Sequence, residues 1–115
     1  MSSFSLVIPM YNEEKRIGAT LKDIAQKYKD IKLPLIEIIC VNDGSVDATL
    51  KVVEEDKTET HLPIRAVNLE VNQGKGAAIK KGILESKGDY IILIDADSST
   101  KIENFTRLQP YIIDY

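Results

Sequence analysis

The chain is poor in the residues that build disulfides, metal clusters and membrane spans. One cysteine, Cys40, stands among 115 residues, which excludes an intrachain disulfide and a cysteine zinc cluster. It sits inside an apolar run and reads as a small core residue. One histidine, His61, lies beside Pro63 with no second ligand at metal-binding spacing, and no chemistry is expected of it. No apolar run approaches the ~20 residues that a bilayer demands, so no membrane span is expected. Met1-Ser2-Ser3-Phe4 runs straight into a strand pattern, without the features of a signal peptide, and the cytoplasm is the expected location. A basic excess is missing too. The net charge of −3 argues against nucleic acid as a partner. Any phosphate ligand must therefore be held by local donors or a metal, against the overall field. Internal repeats, linkers and low-complexity segments are also absent.

What remains is the composition of an ordinary soluble domain, 43% hydrophobic and 29% charged, at a length that suits one domain. Strands are expected at Phe4 to Pro9, Leu35 to Val41, Ile64 to Leu69 and Tyr90 to Ile94. After the first, Asn12 is expected to cap a helix, with Glu13 and Glu14 near its positive end. Ile17, Leu21, Ile24 and Tyr28 then repeat at helical spacing. After the second strand comes the turn Asn42-Asp43-Gly44-Ser45. Ser45 is expected to cap the next helix, with Asp47 and Thr49 in its first turn, Leu50 and Val53 buried, and Glu54 to Glu59 solvated. The third strand leads into Asn72-Gln73-Gly74-Lys75-Gly76, which opens a helix packed through Ala78, Ile79, Gly82 and Ile83. Gly82 permits close approach to the sheet, and Gly88 is expected at the position just past the helix end. Beyond the fourth strand, Thr100-Lys101-Ile102-Glu103 has capping-box spacing for a helix presenting Ile102, Phe105 and Leu108. Pro110 stops or kinks it, and Tyr111 to Tyr115 approaches a further strand. Strand and helix alternate four times, which predicts an α/β fold with a mostly parallel sheet and helices on both faces.

Ligands of such sheets bind beyond the carboxyl ends of the strands. The run Tyr90-Ile91-Ile92-Leu93-Ile94 ends there at Asp95-Ala96-Asp97. Two readings are open for it: a polar turn closing a core strand, or a pair of ligands for a hard divalent cation that also carries phosphate oxygens. Asn12 with Glu13, and Asn42 with Asp43, end two other strands on the same edge, so polar groups from three strands converge. Gly74-Lys75-Gly76 adds backbone N–H groups at a helix start and a cation, which suits a diphosphate. A tight turn with a solvated lysine is the alternative. The spacing does not fit a P-loop, because Gly74-Lys75-Gly76-Ala77 lacks both the separation and the hydroxyl. A dinucleotide fingerprint is missing after the first strand, where Pro9-Met10-Tyr11-Asn12 stands instead. An aspartate-nucleophile phosphatase would open on its Asp-x-Asp motif, whereas three strand–helix units precede this one.

Leu6-Val7-Ile8-Pro9-Met10-Tyr11-Asn12-Glu13, Val41-Asn42-Asp43-Gly44-Ser45-Val46-Asp47-Ala48-Thr49, Asn72-Gln73-Gly74-Lys75-Gly76-Ala77-Ala78 and Asp95-Ala96-Asp97 together resemble the family-two glycosyltransferases. The likeness is to the dolichyl-phosphate glucose and mannose synthases in particular, and Asp95 to Lys101 favours the glucose-type branch. The resemblance implies a Rossmann-like nucleotide-diphospho-sugar transferase fold, truncated. In it Pro9, Tyr11 and Glu13 would lie along the base and ribose, with Val41 and Asp43 beside the base. Lys75 would sit near the diphosphate, and Asp95, Ala96 and Asp97 would form the segment whose two acids hold Mg²⁺ or Mn²⁺. Asn42 stands where many relatives carry a second aspartate; it keeps hydrogen-bonding capacity and removes a charge. The acidic residue near the acceptor is not identifiable, so no catalytic residue is assigned.

The expected activity is transfer of a hexose from UDP-glucose or GDP-mannose to a polyprenyl phosphate or similar acceptor, with this chain as the donor-binding half. A non-catalytic nucleotide-binding module, or a subunit completed by another chain, is the alternative. Family members continue for roughly another hundred residues, a domain-scale segment, and a longer form would work at the cytosolic face of a membrane. A sheet ending after its fourth unit would leave an open edge or apolar face, so self-association is expected, without sugar transfer by the isolated chain.

Overall fold

A strand covered on both faces has no solvent side, so apolar residues fill both of its parities. In the computed structural model, which describes residues 3–28, 35–94, 96 and 112–114, β1 (Phe4–Met10), β2 (Leu35–Asp43) and β4 (Tyr90–Leu93) are such strands. β3 (Ile64–Leu69) is more open, and β5 (Ile112–Asp114) is short. The helices between them are α1 (Ile17–Tyr28), α2 (Thr49–Thr60) and α3 (Lys75–Glu85). The sheet order is β3-β2-β1-β4-β5. β1 to β4 pair in parallel, and β5 joins β4 antiparallel. The chain thus winds outward through β2 and β3, then returns across the sheet to β4, which places the reversal of strand order between β1 and β4. The expected α/β, Rossmann-like fold is what forms.

The two-residue period of the strands sorts the core into two layers. Leu6, Ile8, Met10, Ile38, Cys40 and Ile92 face α1 and α2, meeting Ile17, Leu21, Ile24 and Val53. Val7, Ile39, Val41 and Ile91 face the other way, against Ala78 and Ile83 of α3. α3 sits so close that a β-carbon on Gly82 would fall 2.4 Å from Val7 Cγ1 and 3.1 Å from Val41 Cγ2. Glycine at that position is a packing requirement. Cys40 is fully buried, and burial, with the nearby Asp56 and Glu54 charges adding to it, pushes its thiol up to about 12. It is inert core.

Several local expectations are corrected. Asn12 does not cap α1: it is left-handed (φ 53°), and the helix begins on the Glu13 carbonyl, which accepts from the Ile17 N–H at 2.8 Å. Ser45 does not cap α2, whose start at Ala48 has no side-chain cap; its hydroxyl is used elsewhere, as described below. Asp56 is not solvated but 3% exposed, lying against Gly18 at the α1–α2 contact. Burial raises its carboxyl; Lys22 opposes that rise, while Glu59 and Glu55 add to it. Gly88 is not left-handed. A β-carbon there would lie 2.6 Å from the Ser5 nitrogen, so close approach to β1 is what demands glycine. His61, exposed at φ 58°, ends α2 as its left-handed cap. Within the stretch expected to approach a further strand, Ile112–Asp114 forms β5, which pairs antiparallel with β4. The proposed helix at Thr100 to Leu108 and Pro110 lie outside the described residues, as does the side chain of Tyr28. No helix among the described residues is long and apolar enough to cross a membrane.

At the amino end of the sheet one buried acid ties three strands together. Glu37 Oε2 accepts from the Ser5 hydroxyl (2.7 Å) and from the Lys87 amide, and Oε1 faces Arg65 Nη2 at 3.3 Å. Arg65 goes on to the Glu85 carboxylate and carbonyl, and the Gly88 N–H donates to Ser5 Oγ. Burial alone would raise the Glu37 carboxyl; the Ser5, Lys87 and Arg65 hydrogen bonds and the Arg65 charge outweigh it and hold the group below its ordinary 4.5. Glu37→Gln is expected to cost about 2 kcal/mol at neutral pH, the scale of hydrogen bonds to a charged group. A lowered folded value means the wild-type advantage is present above 4.5 and fades as pH falls through the folded value. Urea denaturation of both chains at pH 7 and pH 3 checks this, and a gap of the same size at pH 3 would refute it.

Candidate functional site

Strand parity also decides what reaches the carboxyl edge on the α3 side. Counting on from Val7 and Ile39, the residues that point that way are Pro9, Val41 and Asp43. The first turn of α3 lies over them. Between these walls is a cavity of about 360 Å³, lined by Pro9, Met10, Tyr11, Glu13, Asp43, Asn72, Gly74, Lys75, Ala78 and Ala96. That volume is in the range of small-molecule sites. It lies beside the β1–β4 junction, where the strand order reverses and an open α/β sheet binds its ligands.

The loops after β1, β2 and β3 contribute most of the lining, with Ala96 after β4 completing it, and side chains of the middle loop hold the other two. Ser45 Oγ accepts from the Asn12 N–H at 3.0 Å, Thr49 Oγ1 from the Glu13 N–H at 2.8 Å, and Asp47 Oδ2 from the Glu14 N–H at 3.3 Å. Asn12 answers through Oδ1, which accepts from the Val46 N–H at 3.0 Å. Three consecutive amides after β1 are thus satisfied by the alternating hydroxyl, carboxylate and hydroxyl of Ser45, Asp47 and Thr49. Slight desolvation would raise Asp47, but hydrogen bonds from the Thr49 hydroxyl and amide and from Glu14 hold its carboxyl below the usual range. On the other side Asp43, 2% exposed, accepts from Gln73 N (2.8 Å) at Oδ1, and from Gly74 N (3.0 Å) and Asn72 Nδ2 (3.2 Å) at Oδ2. Gly44 (φ 68°) is packed so tightly on the same loop that a β-carbon would lie 2.4 Å from the Asn72 nitrogen.

Of the residues singled out from sequence, Pro9, Tyr11, Glu13, Asp43, Lys75 and Ala96 line this one cavity. Val41 does not; it is fully buried one pleat below, in contact range of α3. Asp95 and Asp97 lie outside the described residues. Ala96 between them is buried, and its carbonyl accepts from the Thr20 hydroxyl of α1 at 2.7 Å. Among the described residues no group of three or more histidine, cysteine, aspartate or glutamate side chains converges as a metal site. Glu13 pairs with Arg16 across 2.6 Å. Asn42 reaches Asn68 on β3 (3.2 Å) and accepts from the Ser45 N–H (3.2 Å), the hydrogen-bonding capacity expected of its amide.

Gly74, from the loop read as suiting a diphosphate, also lines the cavity, as do Met10, Asn72 and Ala78, which were not among the expected site residues. Asn72 was legible: it opens the stretch that carries Gly74 and Lys75. Met10 and Ala78 carry no polar signal and emerge only from packing.

The profile described as glycosyl transferase family 2 matches residues 5–115. A dolichyl-phosphate beta-glucosyltransferase of Dictyostelium discoideum is 38% identical over 111 residues, 91% of this chain and 34% of the relative. The crystal structure of S. aureus TarS 1-349 in complex with UDP superimposes with a TM-score of 0.71 at 29% identity, covering 83% of this chain and 27% of that one. The mannosyltransferase PcManGT from Pyrobaculum calidifontis, in complex with GDP-Man and Mn²⁺, gives a TM-score of 0.71 at 26% identity, over 82% of this chain and 27% of the other. The chain spans about a third of the length of the curated relatives it matches. With the strand order, the edge cavity and the profile in agreement, the chain belongs to glycosyl transferase family 2.

Proposed function

We propose that this chain is the donor-binding half of an inverting glycosyltransferase that moves a hexose from UDP-glucose or GDP-mannose to a polyprenyl phosphate or similar acceptor. The observation that carries the reading is the convergence of Tyr11, Glu13, Asp43, Gly74 and Lys75 on one cavity at the carboxyl edge. The relatives named above support it by what they bind or transfer. A cytosolic location, at the membrane face where a lipid-linked acceptor would be met, belongs to the same proposal, as does pairing of two copies through the remaining sheet edges.

Each wall has a task in this reading. Tyr11, 45% exposed, offers a flat apolar face for a base at the cavity rim. A carboxylate has about four acceptor positions, and the loop takes three at Asp43; one remains at Oδ1 for a ring N–H. The start of α3 suits the diphosphate. Gly74 adopts φ 98° there and supplies no side-chain cap. At Gly76 neither a left-handed backbone nor crowding requires glycine, since a β-carbon would meet nothing within 4 Å. Bare backbone at a helix N-terminus leaves room for an anion to approach. Asp95 and Asp97, flanking the cavity-lining Ala96, are the residues that would hold Mg²⁺ or Mn²⁺, whose chemistry is to neutralise charge on the departing diphosphate. A phosphate acceptor is already nucleophilic, so positioning matters more than proton removal.

Titration with UDP and GDP, with and without Mn²⁺, tests the proposal directly. Asp97→Ala is expected to abolish the Mn²⁺-dependent part of binding while the thermal midpoint stays within a few degrees of wild type, because separating two like charges does not destabilise. Equal Mn²⁺-dependent affinity of mutant and wild type would remove the metal assignment. Base selectivity gives a second outcome. A buried acceptor left unpaired costs about 1–3 kcal/mol, so UDP or GDP should bind at least several-fold tighter than ADP. Indistinguishable affinities for the three nucleotides would exclude the base role of Asp43.

A further inference from the structure

Asp43 is placed beside the base by the reading above, yet most of its carboxylate is aimed elsewhere. Its three observed partners are Asn72 Nδ2, Gln73 N and Gly74 N, all in the segment that immediately precedes Lys75. The Asp43 carbonyl also accepts from Asn72 Nδ2 at 3.2 Å. Gly44, the next residue, is pressed against the Val71–Asn72 peptide, with 2.4 Å and 2.6 Å from a notional β-carbon to Asn72 N and Val71 C. The end of β2 therefore holds the loop by two independent means, charge-assisted hydrogen bonds and backbone contact. The loop in turn fixes Gly74, whose carbonyl starts α3 by accepting from the Ala78 N–H at 3.1 Å.

We infer that Asp43 is a positioning residue for the diphosphate half of the site: its buried carboxylate clamps the Asn72–Gly74 turn and so sets where Lys75 and the first turn of α3 meet the ligand. This rests on the nucleotide-sugar reading and deepens it, because one side chain then couples base recognition to diphosphate grip. The consequence has a sign opposite to simple electrostatics. Lys75, Asp43 and Glu13 share one cavity, so the Asp43 charge by itself repels a diphosphate, and removing it would tighten anion binding. If the clamp governs, removing it loosens the turn and weakens anion binding. Asp43→Asn keeps the side chain's size, but its amide nitrogen cannot accept from an N–H and one of the two amide donors loses its partner.

Two measurements on the 115-residue chain decide the matter. The first is hydrogen exchange of the ligand-free protein, read at single amides. In Asp43→Asn at least one of the Gln73 and Gly74 amides should exchange roughly tenfold faster or more, the scale of a lost charge-assisted bond, while Val67 in the middle of β3 is unchanged. The second is the affinity of inorganic pyrophosphate and of UDP in Mg²⁺. Both should fall by a similar factor, about fivefold to tenfold, in Asp43→Asn, and again in Gly44→Ala, which displaces the loop while leaving the carboxylate in place. Pyrophosphate affinity that holds or rises in Asp43→Asn, with UDP alone weakened, would overturn the inference and leave Asp43 as a base contact only. Unchanged exchange at Gln73 and Gly74 would overturn it without reference to any ligand. A wild-type chain that binds neither pyrophosphate nor UDP would instead sink the nucleotide-sugar reading, and the diphosphate role of Asp43 with it.

Discussion

Burial of β1 and β2 on both faces is the constraint from which the rest follows. A parallel strand between two helical layers has no place along its length for a polar side chain, so polar groups gather at its ends. At the amino end, Ser5 and Glu37 are register partners and form a sealed network with Arg65 and the Lys87–Gly88 turn. At the carboxyl end, six residues further along β2, Asp43 faces the same α3 layer, about 20 Å away at a strand's rise per residue. The two buried acids differ in what surrounds them. Glu37 is closed off by strands and a turn that pack on one another. Asp43 borders a cavity. The same strand thus ends in a structural site and a candidate functional one.

The carboxyl edge is built from loops that satisfy each other rather than their own helices. Neither α2 nor α3 has a side-chain cap at its start, and the residues that look like caps in the sequence serve the neighbouring loop. Ser45, Asp47 and Thr49 take the amides of Asn12, Glu13 and Glu14; Asp43 takes those of Gln73 and Gly74. Exchange of caps between loops uses hydrogen bonds that would otherwise be local to fix inter-loop distances. It also explains the left-handed Asn12. Asn12 Oδ1 must reach the Val46 N–H, and asparagine tolerates that backbone region better than most residues.

This exchange marks the limit of what the sequence discloses. Periodicity and breakers located β3 to the residue and β1, β2 and β4 to within two, and Gly82 declared its packing role, because those signals are local and the sheet obeys them. The convergence of Glu13, Asp43 and Lys75 was also legible, since parallel strands deliver all their carboxyl ends to one edge; Pro9 and Tyr11 were placed there by the family resemblance. Partner choice was not. Nothing local distinguishes a Ser45 that caps α2 from one that accepts from Asn12, because the two differ only in which amide lies nearest in space. Asp56 shows the same blindness from another side. Amid Glu54, Glu55, Lys57 and Glu59 it reads as one more solvated charge, and only the helical phase of α2 against α1 turns it inward beside Gly18. Gly88 was predicted by the commonest reason for glycine after a helix, and the real reason is a strand so close that a β-carbon would lie 2.6 Å from its backbone.

Charge accounting at the cavity bears on the proposed anionic ligand in a chain of net charge −3. Two acids and one lysine line the described part of the cavity, which at first sight favours cations. Neither acid presents a bare charge. Glu13 is met by Arg16 at 2.6 Å, and the Asp43 carboxylate is surrounded by three N–H donors at 2.8 to 3.2 Å. Hydrogen-bond donors directed at a carboxylate lower its potential toward the cavity without adding a formal charge. The lining also carries positive groups, the Lys75 side chain and the N-terminal end of the α3 dipole. The proposed diphosphate would be attracted to such a site only at short range, where the helix dipole exceeds the screened field of distant charges, so its recognition would depend on fit to the loop rather than on long-range steering.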